Sequence, residues 1–489
     1  MGKAEYGEFV AKKKITKTVS VNVECGSDIS CEVRDILSLH SSCLQTGAEC
    51  KENEIFFSGR VIFNAVYSLE GEIKRKELGV DFSDAVKAEC NSNDKVKVTF
   101  SVDNVSCEKQ DRIKITAQIT ATTVVEKNEA KGLLVGGEDY LINKKSVIVN
   151  EAKVVQPKTF TLDDEFETTQ IKNVLSSWAT ARITACQCGI SSVICDGEII
   201  LTLALLPIDE KSDIVKEYRV IPFRLELEAD GTNVDDVCCA EVSVTKTALK
   251  VFVDEGKGKS TVTSQLSISL SANAYSRKEF VYADDLFSLK NELGIAKEKI
   301  EYEKVVKGDA ICEKVRGKAF CDVPENARLI TCIDDRVYNL TRGKEKNQVT
   351  LDGILSTYCL FSVDGQVISK LAEMPFSVSL NCEDDFEVTS YLTKRINARL
   401  RNGEVEFESE VAISYKTFTT ESFCAVTIAE EKEELPKNEY AFSVYIPEKN
   451  DGLWEICKAL KVSPETVTEQ NDLTFPLKEN QKIIVYRRI

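Results

Sequence analysis

The chain is poor in the residues on which most enzyme chemistry rests. Among its 489 residues it has one histidine, two tryptophans, two methionines and nine prolines. A single imidazole restricts any His-dependent triad or His-rich metal site to His40, which stands between Leu39 and Ser41 with no nucleophile motif nearby. It reads as a structural residue. No apolar run approaches the roughly 18 residues that a membrane-spanning helix needs, so no transmembrane segment is expected. There is no cationic excess either. The net charge of −17 argues against nucleic acid as a partner and against simple electrostatic attachment to an anionic membrane.

Other absences narrow the reading further. The chain has 18 cysteines but no C-x-x-C pair, so zinc knuckles are not expected. Cys186-Gln187-Cys188 on a strand puts two thiols on one face, and Cys238-Cys239 are adjacent. The cysteines read as buried, reduced thiols acting as small hydrophobes, the alternative being crosslinking after a change of environment. Met1-Gly2-Lys3-Ala4-Glu5-Tyr6 lacks a hydrophobic signal core and lacks Ser or Thr at position 6, so a cytoplasmic location is expected. Gly256-Lys257-Gly258-Lys259-Ser260 ends like a phosphate-binding loop, but Val253 stands where the first glycine is needed, and a hairpin turn is expected instead. None of the 80 carboxylates is singled out for acid–base work. No catalytic residue, metal ligand or cofactor is assigned, and the chain is not expected to be an enzyme.

What is present is repetition. Ile55 to Phe63, Ser192 to Ile200 and Val349 to Leu355 are apolar runs, each broken by one glycine after Ser or Asp: Gly59, Gly197 and Gly353. A glycine there marks a bulge or a close backbone approach. Each run is followed by a polar turn, at Glu70-Gly71-Glu72, Asp209-Glu210-Lys211 and Asp364-Gly365-Gln366, and then by another alternating strand. Upstream, Leu37 and Leu175 lie 22 residues before their glycines and Leu329 lies 24 before the third. Spacings of 138 and 156 residues between the glycines allow each repeat its own core. The fold class is therefore mainly β: repeated domains at 1–140, 141–287 and 288–430, with an acidic linker over Glu430 to Glu439. Around the second boundary, Leu286, Leu289 and Leu293 fit either a short helix or an irregular linker.

The last stretch, 437–489, has a different pattern. Ala441 to Ile446 alternates as a strand through Phe442, Val444 and Ile446. Asp451 is placed to cap a helix carrying Leu453, Ile456, Cys457 and Leu460 on one face, with Trp454 beside that stripe. Ser463-Pro464 opens a second short helix, and Lys482 to Arg487 reads as a closing strand. From Pro436 onward there are eight basic and eight acidic residues, so the acidity lies upstream. Trp454 and Phe475 are the aromatic candidates either for a ligand surface or for covering the small core.

This small α+β (βααβ) segment resembles the LysM module. Asn450-Asp451-Gly452-Leu453-Trp454-Glu455-Ile456-Cys457, Val462-Ser463-Pro464-Glu465 through Asn471, and Leu477 through Ile484 follow its signal words in order. Asn450 and Asn480 replace family glycines, and Asn tolerates positive φ. The resemblance implies a groove formed by Asn450, Asp451, Gly452 and Leu453 with Asn471, Leu473, Thr474, Phe475 and Pro476, binding either an N-acetylglucosamine glycan or a protein. The three Gly-centred hairpins, with Asp35-Ile36-Leu37 and Asn173-Val174-Leu175 before the first two, followed by that module, resemble the SPOCS-domain proteins of endospore-forming clostridia. That resemblance implies a non-enzymatic scaffold of spore-coat assembly on the mother-cell side of the forespore surface. Its LysM module would dock the ATPase of the coat basement layer, and peptidoglycan binding is the alternative.

Overall fold

The computed structural model describes residues 4–486 apart from 31–32, 34, 93, 110–111, 210–212, 346–347, 381–384, 436–441, 449–450 and 478–480. The chain is mainly β, and one order of strands occurs three times. The first unit holds β1 (Ala4–Ser30), β2 (Asp35–Lys51), β3 (Glu54–Leu69), β4 (Glu72–Lys87), β5 (Lys95–Lys109) and β6 (Arg112–Gly137). The second holds β7 (Tyr140–Lys153), β8 (Lys158–Thr169), β9 (Ile171–Gly189), β10 (Ser192–Pro207), β11 (Val215–Glu228), β12 (Val237–Asp254) and β13 (Lys259–Ser288). The third holds β14 (Asn291–Phe320), β15 (Arg328–Glu345), β16 (Gln348–Val363), β17 (Gln366–Leu380), β18 (Asp385–Arg401) and β19 (Glu404–Glu434).

Each unit is a pair of packed sheets. Its middle strands form an antiparallel meander, β2-β3-β4, β9-β10-β11 or β15-β16-β17. Its first and last strands pair with each other and with the next-to-last, as β1-β6-β5 and β14-β19-β18. In the second unit the first strand is split. β7 pairs with the end of β13 and β8 with its beginning, around a break at 154–157 where Pro157 has no N–H to donate. Strict alternation drives the packing: Ile113, Ile115, Ala117, Ile119 and Ala121 of β6 are all buried, and the residues between them face outward. Three core clusters result, each drawn from a single unit. They centre on Phe63 and Ile115, on Leu201 and Ile268, and on Phe361 and Phe407.

The three glycines have one physical role. Gly59, Gly197 and Gly353 lie directly opposite Phe82, Phe223 and Phe376 of the neighbouring strand. A Cβ on each would stand 2.7, 2.2 and 2.7 Å from that phenyl ring, so the ring occupies the space that a side chain would take. On the other side of each glycine the pairing shifts register, as the bulge reading anticipates.

The units meet at two levels. Leu37, Val66, Leu175, Ala204, Ile333 and Leu360 form one buried cluster, to which all three meanders contribute. Ser38, Ser176 and Thr331 pair with Val66, Ala204 and Leu360, each of the latter seven positions beyond its glycine. The third counterpart of Leu37 and Leu175 is therefore Ile330, not Leu329, which packs inside its own unit instead. The sequence count is displaced because an extra residue bulges there. Beyond the sheet pairs, the ribbons β1/β6, β7/β13 and β14/β19 pack as three arms around Phe9, Leu133, Tyr282, Tyr302 and Phe423. Phe9 meets Phe280, Tyr302 and Phe423 edge-on at 5.1, 6.0 and 5.3 Å between ring centres.

Two boundary readings need correction. Leu286 to Leu293 forms neither helix nor irregular linker: β13 runs to Ser288 and β14 begins at Asn291, with Leu286 and Leu293 packed among the arms and Leu289 exposed at the turn. Glu430 to Glu434, read as linker, pairs with the start of β14. A two-stranded ribbon leaves such carboxylates in water, so their charge does not oppose the strand. The rest of that linker, 436–439, falls mostly outside the described residues. Gly256 to Ser260 is the β12–β13 turn, where Asp254 Oδ1 accepts from the backbone N–H groups of Gly256 and Lys257.

After the third unit come β20 (Phe442–Tyr445), α1 (Leu453–Leu460), α2 (Pro464–Gln470) and β21 (Ile483–Tyr486), with β20 antiparallel to β21. Ile456, Cys457, Val467, Ile483 and Val485 form the buried core of this small module.

Candidate functional site

The loops expected to form a groove are built from the inside. Asp451 does not cap α1. Its Oδ2 accepts from the Tyr445 hydroxyl and the Glu448 N–H, both at 2.7 Å, and the hydrogen bond pushes the Tyr445 phenol up to about 12. Gly452 takes the N-cap position, and its N–H donates to Glu455 Oε2 at 2.9 Å. The longer reach of Asp451 thus locks the entry loop to β20. Leu453 and Leu473 are part of the module core. Asn471 is structural too. Its amide nitrogen donates to the Val467 and Ile484 carbonyls at 3.0 and 2.8 Å, and its oxygen accepts from Ile484 N–H at 2.9 Å. Fixing the second loop to β21 uses both ends of its amide, so Asn471 is not left facing a ligand. Thr474, Phe475 and Pro476 are exposed, Phe475 by 48%. Asn450 and Asn480 lie outside the described residues.

Trp454 is accounted for by the body of the protein. Its ring packs on Phe287 of β13 at 5.1 Å between centres, and its Nε1–H donates to Asp285 Oδ2 at 2.9 Å. Lys458 donates to the same oxygen at 2.6 Å, and Lys297 stands 3.4 Å from Oδ1. Burial raises the Asp285 pKa, but the hydrogen bonds from Lys458 and Trp454 and the nearby positive charges outweigh it and hold the carboxyl below its usual range. The module is therefore latched to the second unit through α1.

A surface that the sequence did not assign lies on the other side of the module. Cross-strand partners share a face, so Phe442, Val444, Ile484 and Tyr486 point one way and Ile483 and Val485 point toward the helices. Phe442, Val444 and Tyr486 are 55%, 47% and 61% exposed, and Ile446 just beyond β20 is also exposed. The period-two signal of Phe442, Val444 and Ile446 was legible in the sequence. Only the packing of the helices tells which face is covered.

Elsewhere the structure offers polar burial without a reaction centre. His40 is buried, with neither ring nitrogen hydrogen-bonded, and meets Trp178 edge-on at 4.3 Å. Burial lowers its pKa, Asp334 opposes that shift, and Arg336 adds to it. Across the same junction, Asp335 accepts from Lys216 at 2.5 Å, Tyr218 at 2.9 Å and Thr357 at 2.6 Å, tying β11 to the third unit. Among the described residues no group of three or more His, Cys, Asp or Glu is arranged to hold a metal ion, and no helix is long and apolar enough to cross a membrane. No protein-family model, curated protein or solved structure matches this chain.

Proposed function

We propose that the chain is a non-enzymatic scaffold of spore-envelope assembly that docks a protein partner through its C-terminal module. The observation that carries this reading is the apolar face of Phe442, Val444 and Tyr486, left exposed on a module whose helix α1 is already anchored. Aromatic and aliphatic side chains grouped on a rigid two-stranded face are the kind of anchor that protein interfaces bury. The resemblance to SPOCS and LysM proteins suggests the partner, the ATPase of the coat basement layer. It also suggests the place, the mother-cell side of the forespore. The three-unit body would hold the module in a fixed orientation.

The test uses the full chain. Phe442→Ser with Tyr486→Ser should weaken binding to that ATPase by about 30-fold or more, the effect of losing roughly 2 kcal/mol of buried anchor. A matched melting curve separates loss of the face from loss of the fold. Exposed Phe475, beside Thr474, supports a second reading, in which the ring stacks on a sugar of an N-acetylglucosamine glycan. Micromolar binding of such oligomers, abolished by Phe475→Ala with no ATPase binding, would replace the first reading with the second.

A further inference from the structure

The second unit gathers four thiols in one place. Cys186 and Cys195 are directly opposite each other on β9 and β10, with sulfurs 3.8 Å apart. Cys188 follows on the same face of β9. From the other sheet, Cys238 of β12 brings its sulfur to 3.2 Å from that of Cys186. Cys188, Cys195 and Cys238 are buried, whereas Cys186 is only partly covered. A sulfur–sulfur gap of 3.2 Å across two sheets is more than a small hydrophobe needs, and closing it to the roughly 2.05 Å of a disulfide takes a small side-chain movement.

We propose that Cys186 and Cys238 are a disulfide-forming pair that staples the two sheets of the second unit when the chain meets a disulfide oxidant of the glutathione class. The step balances. Cys186, the accessible thiol, loses its proton to solvent and attacks one sulfur of the oxidant. A mixed disulfide forms and one small thiolate leaves. The Cys238 thiolate then attacks the Cys186 sulfur, the protein disulfide forms, and the second small thiolate departs. Two protein thiols are oxidised and one small disulfide is reduced to two thiols.

The surroundings suit these roles. The Cys186 S–H points at Cys238, and accepting that hydrogen bond lowers the Cys238 pKa, which favours the attacking thiolate. Hydrogen bonding to Cys195 and Cys238, then burial, holds Cys186 protonated, so the first step is the slow one and quickens as pH rises. The other close contacts lie between strands already zipped together. Cys186–Cys195 is one, and Cys332–Cys359 of the third unit, at 3.7 Å, is another. The Cys186–Cys238 bond alone would join one sheet to the other, closing a loop with a sequence separation of 52.

The experiment treats the reduced full chain with oxidised glutathione, quenches by alkylation, and maps linkages by mass spectrometry of the digest. The expected product is a Cys186–Cys238 linked peptide, formed faster at pH 8.5 than at pH 7, with a raised urea midpoint that returns on reduction. In Cys238→Ser the expected species is a lasting glutathione adduct on Cys186. If that variant does not fold, the linkage map of the unaltered chain decides alone. A Cys186–Cys195 or Cys188–Cys238 link in its place, or Cys186 recovered free or as a stable adduct in the unaltered chain, would overturn the assignment.

Discussion

Asp285 is the residue on which the module's attachment turns, and Asp285→Ala is the cleanest way to open it. The substitution removes the acceptor of the Trp454 indole and of the Lys458 ammonium at once. A hydrogen bond to a charged group contributes about 1.5–3 kcal/mol. The Lys458 side chain is 39% exposed, so its share is discounted for screening to less than about 1 kcal/mol. The edge contact of Trp454 on Phe287 remains, worth about 0.5–1.5 kcal/mol. A net loss of about 2–3 kcal/mol follows, which shifts the docked population about 30- to 150-fold toward release. The assay is tryptophan emission. With Trp178→Phe as background, Trp454 is the sole indole of the chain. Adding Asp285→Ala should move its emission to the red and raise its quenching by acrylamide, with the melting of the body unchanged. Identical emission and quenching in both proteins would refute the latch. The pH dependence has a definite sign. The Asp285 pKa is depressed in the folded chain, so its contribution is complete above the ordinary aspartate value, about 3.9, and is lost as pH falls through the folded value. Between pH 6 and 8 the emission should not change.

Three further outcomes are expected. Gly197→Ala should lower stability by about 1–3 kcal/mol in urea titration, because its Cβ would meet Phe223 at 2.2 Å and the Arg182 carbonyl at 2.5 Å. Gly26→Ala, with nothing within 4 Å, is the control and should change stability by less than about 0.5 kcal/mol. His40 is buried uncharged at the junction, faced by Trp178 of β9 and by Asp334 and Arg336 of β15. Its lowered pKa makes stability fall as pH drops below about 6.5, by up to about 1.4 kcal/mol per unit while His40 stays neutral, and His40→Gln should remove that slope from a pH series of urea midpoints. Lys216→Met should cost about 3–5 kcal/mol, since it strips the buried Asp335 carboxylate of its cation. A Tm within two degrees of the unaltered chain would contradict that.

The sequence shows features where the backbone itself restricts the residue. Gly59, Gly197 and Gly353 were visible because a ring must fit where a Cβ would stand, a demand only glycine meets. Leu37 and Leu175 were visible at a constant offset, and their third counterpart was missed because a bulge near Ile330 breaks the count. Glu430 to Glu434 hid a strand, since exposed ribbons tolerate any charge. In the module, the order of elements followed from caps and periodicity, but residue roles did not. Asn471 carries the right amide for a ligand and spends it on the Ile484 backbone. Trp454 looked available because its partners, Asp285 and Phe287, lie far away in sequence, at a separation of 169 for the hydrogen bond.

That distant partnership also explains how a threefold body supports a single attachment. Leu134, Ala283 and Val426 occupy one buried layer where the three arms meet. Immediately after each, the ribbon carries the same one-residue bulge, and pairing resumes at Gly136, Asp285 and Ile428. Those three positions are equivalent in backbone and differ in chemistry. Glycine offers no acceptor and isoleucine offers only apolar surface, whereas aspartate presents a carboxylate to an indole N–H and an ammonium. Two residues further along, the arms carry Glu138, Phe287 and Glu430, so only the second supplies a ring for Trp454 to pack on. The repeated architecture therefore builds three similar tips, and two side chains on one of them break the symmetry. The module can seat in a single way, which gives the exposed face of Phe442, Val444 and Tyr486 one fixed direction relative to the body.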